Sequence, residues 1–160
     1  YCAIRFLDER LTDGIDMFEF GSGYSTAFFA ARIRSITSVE YDRQWYERIR
    51  TRLPDNAEIV FREFEPDGDY CRVAESIGRH FDLILIDGRD RVNCVRHSVS
   101  ALTERGVLIV DDSEREKYKP AFQFMHESGF RSVFFEGIKP GETKVYRTTI
   151  FYRSGNCLEL

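Results

Sequence analysis

The sequence predicts an α/β fold: a Rossmann-like sheet of five parallel strands plus an antiparallel C-terminal pair, with helices on both faces. Three observations predict it. Short apolar runs alternate with amphipathic stretches over residues 15–110, each run passes into acidic or glycine-containing residues, and the last two β-rich runs leave no room between them for a crossover helix.

In chain order, residues 17–20, 35–40, 58–61, 81–87 and 107–111 read as buried strands, because their apolar runs are near-continuous rather than alternating. Residues 25–33, 43–53, 70–78 and 91–102 read as the crossover helices, and Val92, Val95, Val99 and Leu102 form a sheet-facing stripe on the last. A further helix has Pro120 in its first turn, Phe122 and Met125 on one side and Gly129 as its stop. Residues 132–136 and 146–152 then pair antiparallel around the turn Lys139-Pro140-Gly141-Glu142. No repeat, low-complexity tract or linker interrupts this pattern, so the expectation is one domain over residues 1–160. The chain opens on Tyr1 rather than Met, which leaves an N-terminal segment to be expected upstream.

Composition narrows the function classes. With 160 residues, 42% hydrophobic and 31% charged, the chain is long enough to bury a core, and its formal charge of −4 argues against a broad basic face for nucleic acid. A small-molecule substrate is expected, with no nucleic acid and no membrane partner. Cys2, Cys71, Cys94 and Cys157 form no C-x-x-C pair, so neither a zinc site nor a disulfide framework is signalled. Charged residues break the first segment where a signal peptide needs an apolar run, and a cytoplasmic location is the expectation.

The chemistry concentrates after the first strand, at Glu19-Phe20-Gly21-Ser22-Gly23. Gly21 and Gly23 permit a tight turn and close approach of a ligand, and Ser25 or Thr26 is placed to cap the following helix. A dinucleotide turn would carry a third glycine where Thr26 stands, and Glu19 would repel a diphosphate while attracting a cationic group. No Gly-Lys-Ser/Thr follows, which removes the P-loop. Glu40 ends the second strand, where a carboxylate accepts hydrogen bonds from ribose hydroxyls. The bland reading is a structural turn whose glycines answer only to the backbone.

These residues, 18–26 followed by Ser38-Val39-Glu40-Tyr41-Asp42, resemble the class I S-adenosylmethionine-dependent methyltransferases over nearly the whole chain. The resemblance implies that Glu19, Gly21, Ser22 and Gly23, with Ser25 and Thr26, hold the methionyl part of S-adenosyl-L-methionine. It implies that Glu40 holds the ribose and that Tyr41 and the Glu63-Phe64 loop hold the adenine.

Asp87, Asp111 and Asp112 converge on the same rim, and like charges so placed require a cation, a raised pKa or interspersed arginines such as Arg89, Arg91 and Arg115. Three readings stand: a Mg²⁺ site on Asp87, Asp111 and Asp112; Asp87 as general base or cofactor contact; or solvated loop acids. The first is similar to metal-dependent O-methyltransferases of the catechol type, although Asp112 stands where those carry Asn. His80, His97 and His126 are scattered and read as surface or packing residues, and Phe28, Phe29, Trp45, Phe122, Phe124, Phe134 and Phe135 read as core. Tyr24 and Tyr118 neighbour the turn and the acidic rim. The expected reaction is O-methylation of a small molecule; the rival expectations are aminopropyl transfer and a non-catalytic S-adenosylmethionine-binding module.

Overall fold

A computed structural model describes residues 2–139 and 141–160; Tyr1 and Pro140, the latter within the expected turn, lie outside the described residues. The first half of the chain runs α1 (Cys2–Asp8), β1 (Asp16–Phe20), α2 (Tyr24–Ala30), β2 (Ser35–Glu40), α3 (Arg43–Ile49), β3 (Ala57–Phe61) and α4 (Asp69–Ser76). The second half runs β4 (Phe81–Ile86), α5 (Arg91–Ser98), β5 (Leu102–Val110), α6 (Lys119–Glu127), β6 (Arg131–Ile138) and β7 (Val145–Tyr152).

The seven strands form one sheet in the order β3-β2-β1-β4-β5-β7-β6. The first five are mutually parallel, and β7 lies antiparallel between β5 and β6. Alternation along each strand divides the core. Phe18, Phe20, Ile84, Ile86, Leu108 and Val110 point to the side covered by α4, α5 and α6. Met17, Ile36, Leu83, Leu85, Val107 and Ile109 point to the side that holds Leu7 of α1 and Phe29 of α2. Burial on both faces is why these strands read as continuous apolar runs.

Three boundaries depart from expectation for local reasons. The helix expected over 91–102 stops at Ser98, whose hydroxyl donates to Cys94 O at 2.6 Å, and a 3₁₀ turn follows. Leu102 instead opens β5 by pairing with Phe81, so tertiary pairing outweighs the helical stripe to which it was assigned. The seven-residue α1 was not expected; it is too short to display a helical period, and packing holds it, with the Phe6 ring 4.9 Å from Phe135 of β6. Gly129 ends α6 as expected, with φ at 83°.

The order places β4 beside β1, while β2 leaves β1 on its other edge. The chain therefore opens a crevice beyond the carboxyl ends of β1 and β4. There Gly21 N donates to Val39 O at 2.9 Å and Asp87 N donates to Phe20 O at 3.1 Å, so the turns after the two strands lie side by side.

Candidate functional site

A cavity of about 610 Å³ fills this crevice, and Glu19, Gly21, Ser22, Ser25, Glu40, Tyr41 and Asp87 all line it. Gly21 has φ at 92°, a conformation that disfavours a side chain. Gly88, which sequence reasoning passed over, is under a harder constraint. A Cβ there would stand 2.0 Å from Tyr70 Oη, 3.1 Å from Phe20 C and 3.2 Å from Gly21 N. The two turns approach so closely that only glycine fits.

Glu19 is buried at the foot of the cavity. Ser25 Oγ donates to Glu19 Oε1 at 2.5 Å, while Thr26 Oγ1 and Ser38 Oγ donate to Oε2 at 2.6 and 2.9 Å. Burial raises its pKa to about 7; the three hydroxyls oppose the rise and Asp87 adds to it. Glu40 is also buried. Its Oε2 accepts from Ser22 N and Oγ at 3.2 and 2.9 Å, and its Oε1 accepts from Tyr41 N and Asp42 N at 2.8 and 2.9 Å. Among the described residues, neither acid has a lysine, arginine or histidine within ion-pair distance. Two buried carboxylates on one cavity therefore lack a cationic partner, which suits a ligand that carries its own positive charge and hydroxyls.

Several expected roles change. Gly23 takes the N-cap position of α2, and Thr26 at the third helical position shares in the capping by accepting Gly23 N–H on Oγ1 at 3.0 Å; Ser25 does not cap, and both hydroxyls donate to Glu19. Gly23, Thr26, Glu63 and Phe64 are not among the residues that line the cavity. Glu63 is exposed, and the Phe64 ring packs edge-on against Tyr41 at 6.2 Å and Tyr70 at 6.1 Å, so this loop buttresses Tyr41. Trp45, assigned to the core, instead lines the cavity and donates Nε1–H to Ser22 O at 2.8 Å. Tyr24 points away at 92% exposure, and Phe134 is exposed rather than core.

The acidic rim is neutralised from within. Arg91, almost fully buried, donates Nη2–H to Asp87 Oδ1 at 2.9 Å and to Asp87 O at 3.1 Å, Nε–H to Gly88 O at 3.1 Å, and Nη1–H to Asp111 O. Asp112 Oδ2 accepts from Arg115 at 2.7 Å and its Oδ1 accepts from Lys139 at 2.7 Å, which hold its carboxyl below the usual range against burial. Asp111 Oδ1 accepts from Thr148 at 2.6 Å, and Lys139 stands 3.5 Å from its Oδ2. The expected Mg²⁺ site is thus corrected: three cations occupy the carboxylates that the metal would need, and among the described residues no group of three or more His, Cys, Asp or Glu side chains is gathered for a metal. Arg115 and Arg91 serve the charge balance as expected, whereas Arg89 turns to Tyr41, donating to its hydroxyl at 3.0 Å. Lys139 was missed because it comes from the far hairpin.

Asp87 faces the cavity with 46% of its side chain exposed, and its carboxyl is pushed up to about 6, first by the surrounding crevice walls, which thin its hydration, and then by the neighbouring Asp111 carboxylate. Asp90 and Asp112 have φ of 45° and 46°, so the rim holds two non-glycine residues in the left-handed region. The histidines stay outside the site: His97 faces Asp67 at 2.8 Å, His126 faces Ser132 at 3.2 Å, and His80 is exposed. No described helix is long and apolar enough to cross a membrane.

Residues 18–113 match the sequence profile of a family described as a methyltransferase domain. No curated protein matches the chain. Among solved structures, a precorrin-6y C5,15-methyltransferase from Geobacter metallireducens is 16% identical, with 95% of this chain and 87% of that chain covered at a TM-score of 0.68. An rRNA methylase from Streptococcus thermophilus is 14% identical, with 94% of each chain covered at 0.67. The N-methyltransferase NodS from Bradyrhizobium japonicum, in complex with S-adenosyl-L-homocysteine, is 13% identical, with 96% and 85% covered at 0.67. These likenesses extend the shared fold beyond residue 113 to the C-terminal strands.

Proposed function

The chain belongs to the methyltransferase-domain family, and from that premise we propose that it is an S-adenosylmethionine-dependent O-methyltransferase of a small molecule. The observation that carries the reading is the pair of buried carboxylates, Glu19 and Glu40, without a protein cation on a cavity that also holds Asp87. S-adenosylmethionine, when bound, would supply a sulfonium methyl group for transfer to a nucleophile, with the neutral thioether as the leaving group.

Glu19 attracts the cationic methionyl end, and the closely set Gly21 and Gly88 let it approach the main chain. Glu40 accepts from the ribose hydroxyls; since four donors already surround its oxygens, the rotatable Ser22 hydroxyl gives way while the backbone N–H groups stay. Tyr41, held by Phe64 behind it and by Arg89 beside it, flanks the adenine. Ser25 and Thr26 orient Glu19 and act through it.

Asp87 is the catalytic base. Arg91 fixes Oδ1, which leaves Oδ2 to take the proton of an acceptor hydroxyl as its oxygen bonds to the methyl group. A pKa near 6 keeps Asp87 ionised at neutral pH while making it a better base than an ordinary aspartate. The net charge of −4 supports a small acceptor over a nucleic-acid one. Calorimetry of S-adenosylmethionine binding at pH 6.5, in two buffers of different ionisation enthalpy, tests the Glu19 assignment. The cation displaces a proton from Glu19, so the wild type releases a fraction of a proton that Glu19→Gln does not; equal release by both proteins contradicts the assignment.

A further inference from the structure

Charge is graded along the cavity. Glu19, Glu40 and Asp42, at or just past the ends of β1 and β2, are acids; the turn after β4 brings both signs, Asp87 and Asp90 with Arg89 and Arg91; and the segment after β5 brings only cations to the lining, Arg115 and Lys117. Arg91 is consumed by main-chain carbonyls and Asp87. Arg115 is shared, bonded to Asp112 at 2.7 Å with Glu114 4.0 Å away, and 40% of its side chain is still exposed. Lys117 is exposed; its Nζ lies 5.2 Å from the Tyr118 ring centroid, and no carboxylate among the described residues lies within ion-pair distance. Tyr118 is buried at 6% exposure, lines the same wall, and brings a hydroxyl with no hydrogen-bond partner among the described residues.

We infer that the acceptor carries an anionic group, a carboxylate or a phosphate, bound by Lys117 and Arg115 while its hydroxyl is presented to Asp87. The inference rests on the methyltransferase reading of the same cavity and adds the acceptor's charge. The acids at the ends of β1 and β2 are matched to a cationic cofactor, and the segment after β5 offers the acceptor only cations, of which Lys117 is free to pair. A cationic acceptor would meet Lys117 and Arg115 with like charge. Arg91, 2.9 Å from Asp87 and 3.9 Å from Asp112, stands between the base and the acidic rim and limits repulsion between Asp87 and an anion on Lys117. Tyr118 donates its hydroxyl to the same anion. Charge-assisted hydrogen bonds of this kind give roughly ten- to hundredfold selectivity over a neutral isostere.

The test uses matched phenolic probes titrated into protein saturated with S-adenosylhomocysteine: 4-hydroxybenzoate and 4-hydroxyphenyl phosphate against 4-hydroxybenzamide and 4-hydroxybenzylamine. One or both anions bind at least tenfold more tightly than the amide, and which of them binds tells carboxylate from phosphate. Lys117→Met reduces that preference severalfold, since Arg115 and Tyr118 remain, and Lys117→Glu abolishes it, while both variants keep the wild-type affinity for S-adenosylhomocysteine. Equal binding of anionic and neutral probes, tighter binding of the amine, or a preference that survives Lys117→Glu overturns the inference. Failure of S-adenosylhomocysteine itself to bind strikes the cofactor reading instead, and the anion preference is then read on the protein alone.

Discussion

Glu19→Gln separates the cost of the buried acid from its use. Glu19 holds its proton up to about pH 7 in the folded chain against an ordinary value of 4.5, chiefly because burial disfavours the charged form. A carboxyl whose folded pKa is raised contributes stability that is fully present below the unfolded pKa and is lost as pH rises through the folded one. The window is therefore pH 4.5 to 7. Across it the ligand-free wild type loses about 3 kcal/mol relative to a variant that never ionises there. Glutamine keeps one carbonyl acceptor for the Ser25, Thr26 and Ser38 hydroxyls, and these rotate to accept from its amide, so the cluster survives. Urea unfolding of both proteins at pH 5, 6, 7 and 8 gives the comparison directly. The stability of Glu19→Gln minus that of the wild type rises by about 2.5 kcal/mol between pH 5 and pH 8, the part of the window those points cover. A difference constant with pH refutes the reasoning, since Glu19 would then titrate alike in both states.

Asp87→Asn keeps S-adenosylhomocysteine affinity within about threefold but lowers kcat by roughly 10²- to 10⁴-fold, and the limb of kcat/KM that rises through pH 6 in the wild type disappears. Gly88→Ala destabilises the fold by about 1–3 kcal/mol in thermal unfolding because its Cβ meets Tyr70 Oη; Gly88→Ala with Tyr70→Phe recovers part of the loss, while the contacts to Phe20 and Gly21 keep the rest. Tyr70→Phe alone is neutral or stabilising, since it removes a buried hydroxyl without a partner. Arg91→Met lowers stability by about 3–5 kcal/mol in urea, because Asp87, Asp112 and three main-chain carbonyls lose their buried cation. EDTA leaves methyl transfer unchanged, as expected where Arg91, Arg115 and Lys139 already neutralise the rim.

The features legible in the sequence are those written in local pattern. Continuous apolar runs showed the parallel strands, the Pro120 and Gly129 signals placed α6, and the acid–glycine turn with Glu40 pointed to the cavity. What escaped depends on distant parts meeting. Leu102 has a helical spacing from Val95 and Val99, but Phe81 captures it for β5. Trp45 looks like core from composition, yet the carbonyl of Ser22, 23 residues away, draws its indole N–H to the cavity. Lys139 closes the acidic rim from the β6–β7 hairpin, and no spacing rule links it to Asp112. Gly88 carried one usable signal: a glycine directly after the acid that closes an apolar run, close to the punctuation of β1, where Gly21 follows Glu19 by two residues.

The central claim is that the crevice between β1 and β4 binds S-adenosylmethionine through Glu19 and Glu40 and directs its methyl group toward Asp87. The most direct measurement is a crystal structure with saturating S-adenosylhomocysteine. The expected density has the amino and thioether end beside Glu19, the ribose hydroxyls on Glu40 and the sulfur directed toward Asp87. Ligand bound elsewhere, or a Glu19 turn left empty at saturation, contradicts it.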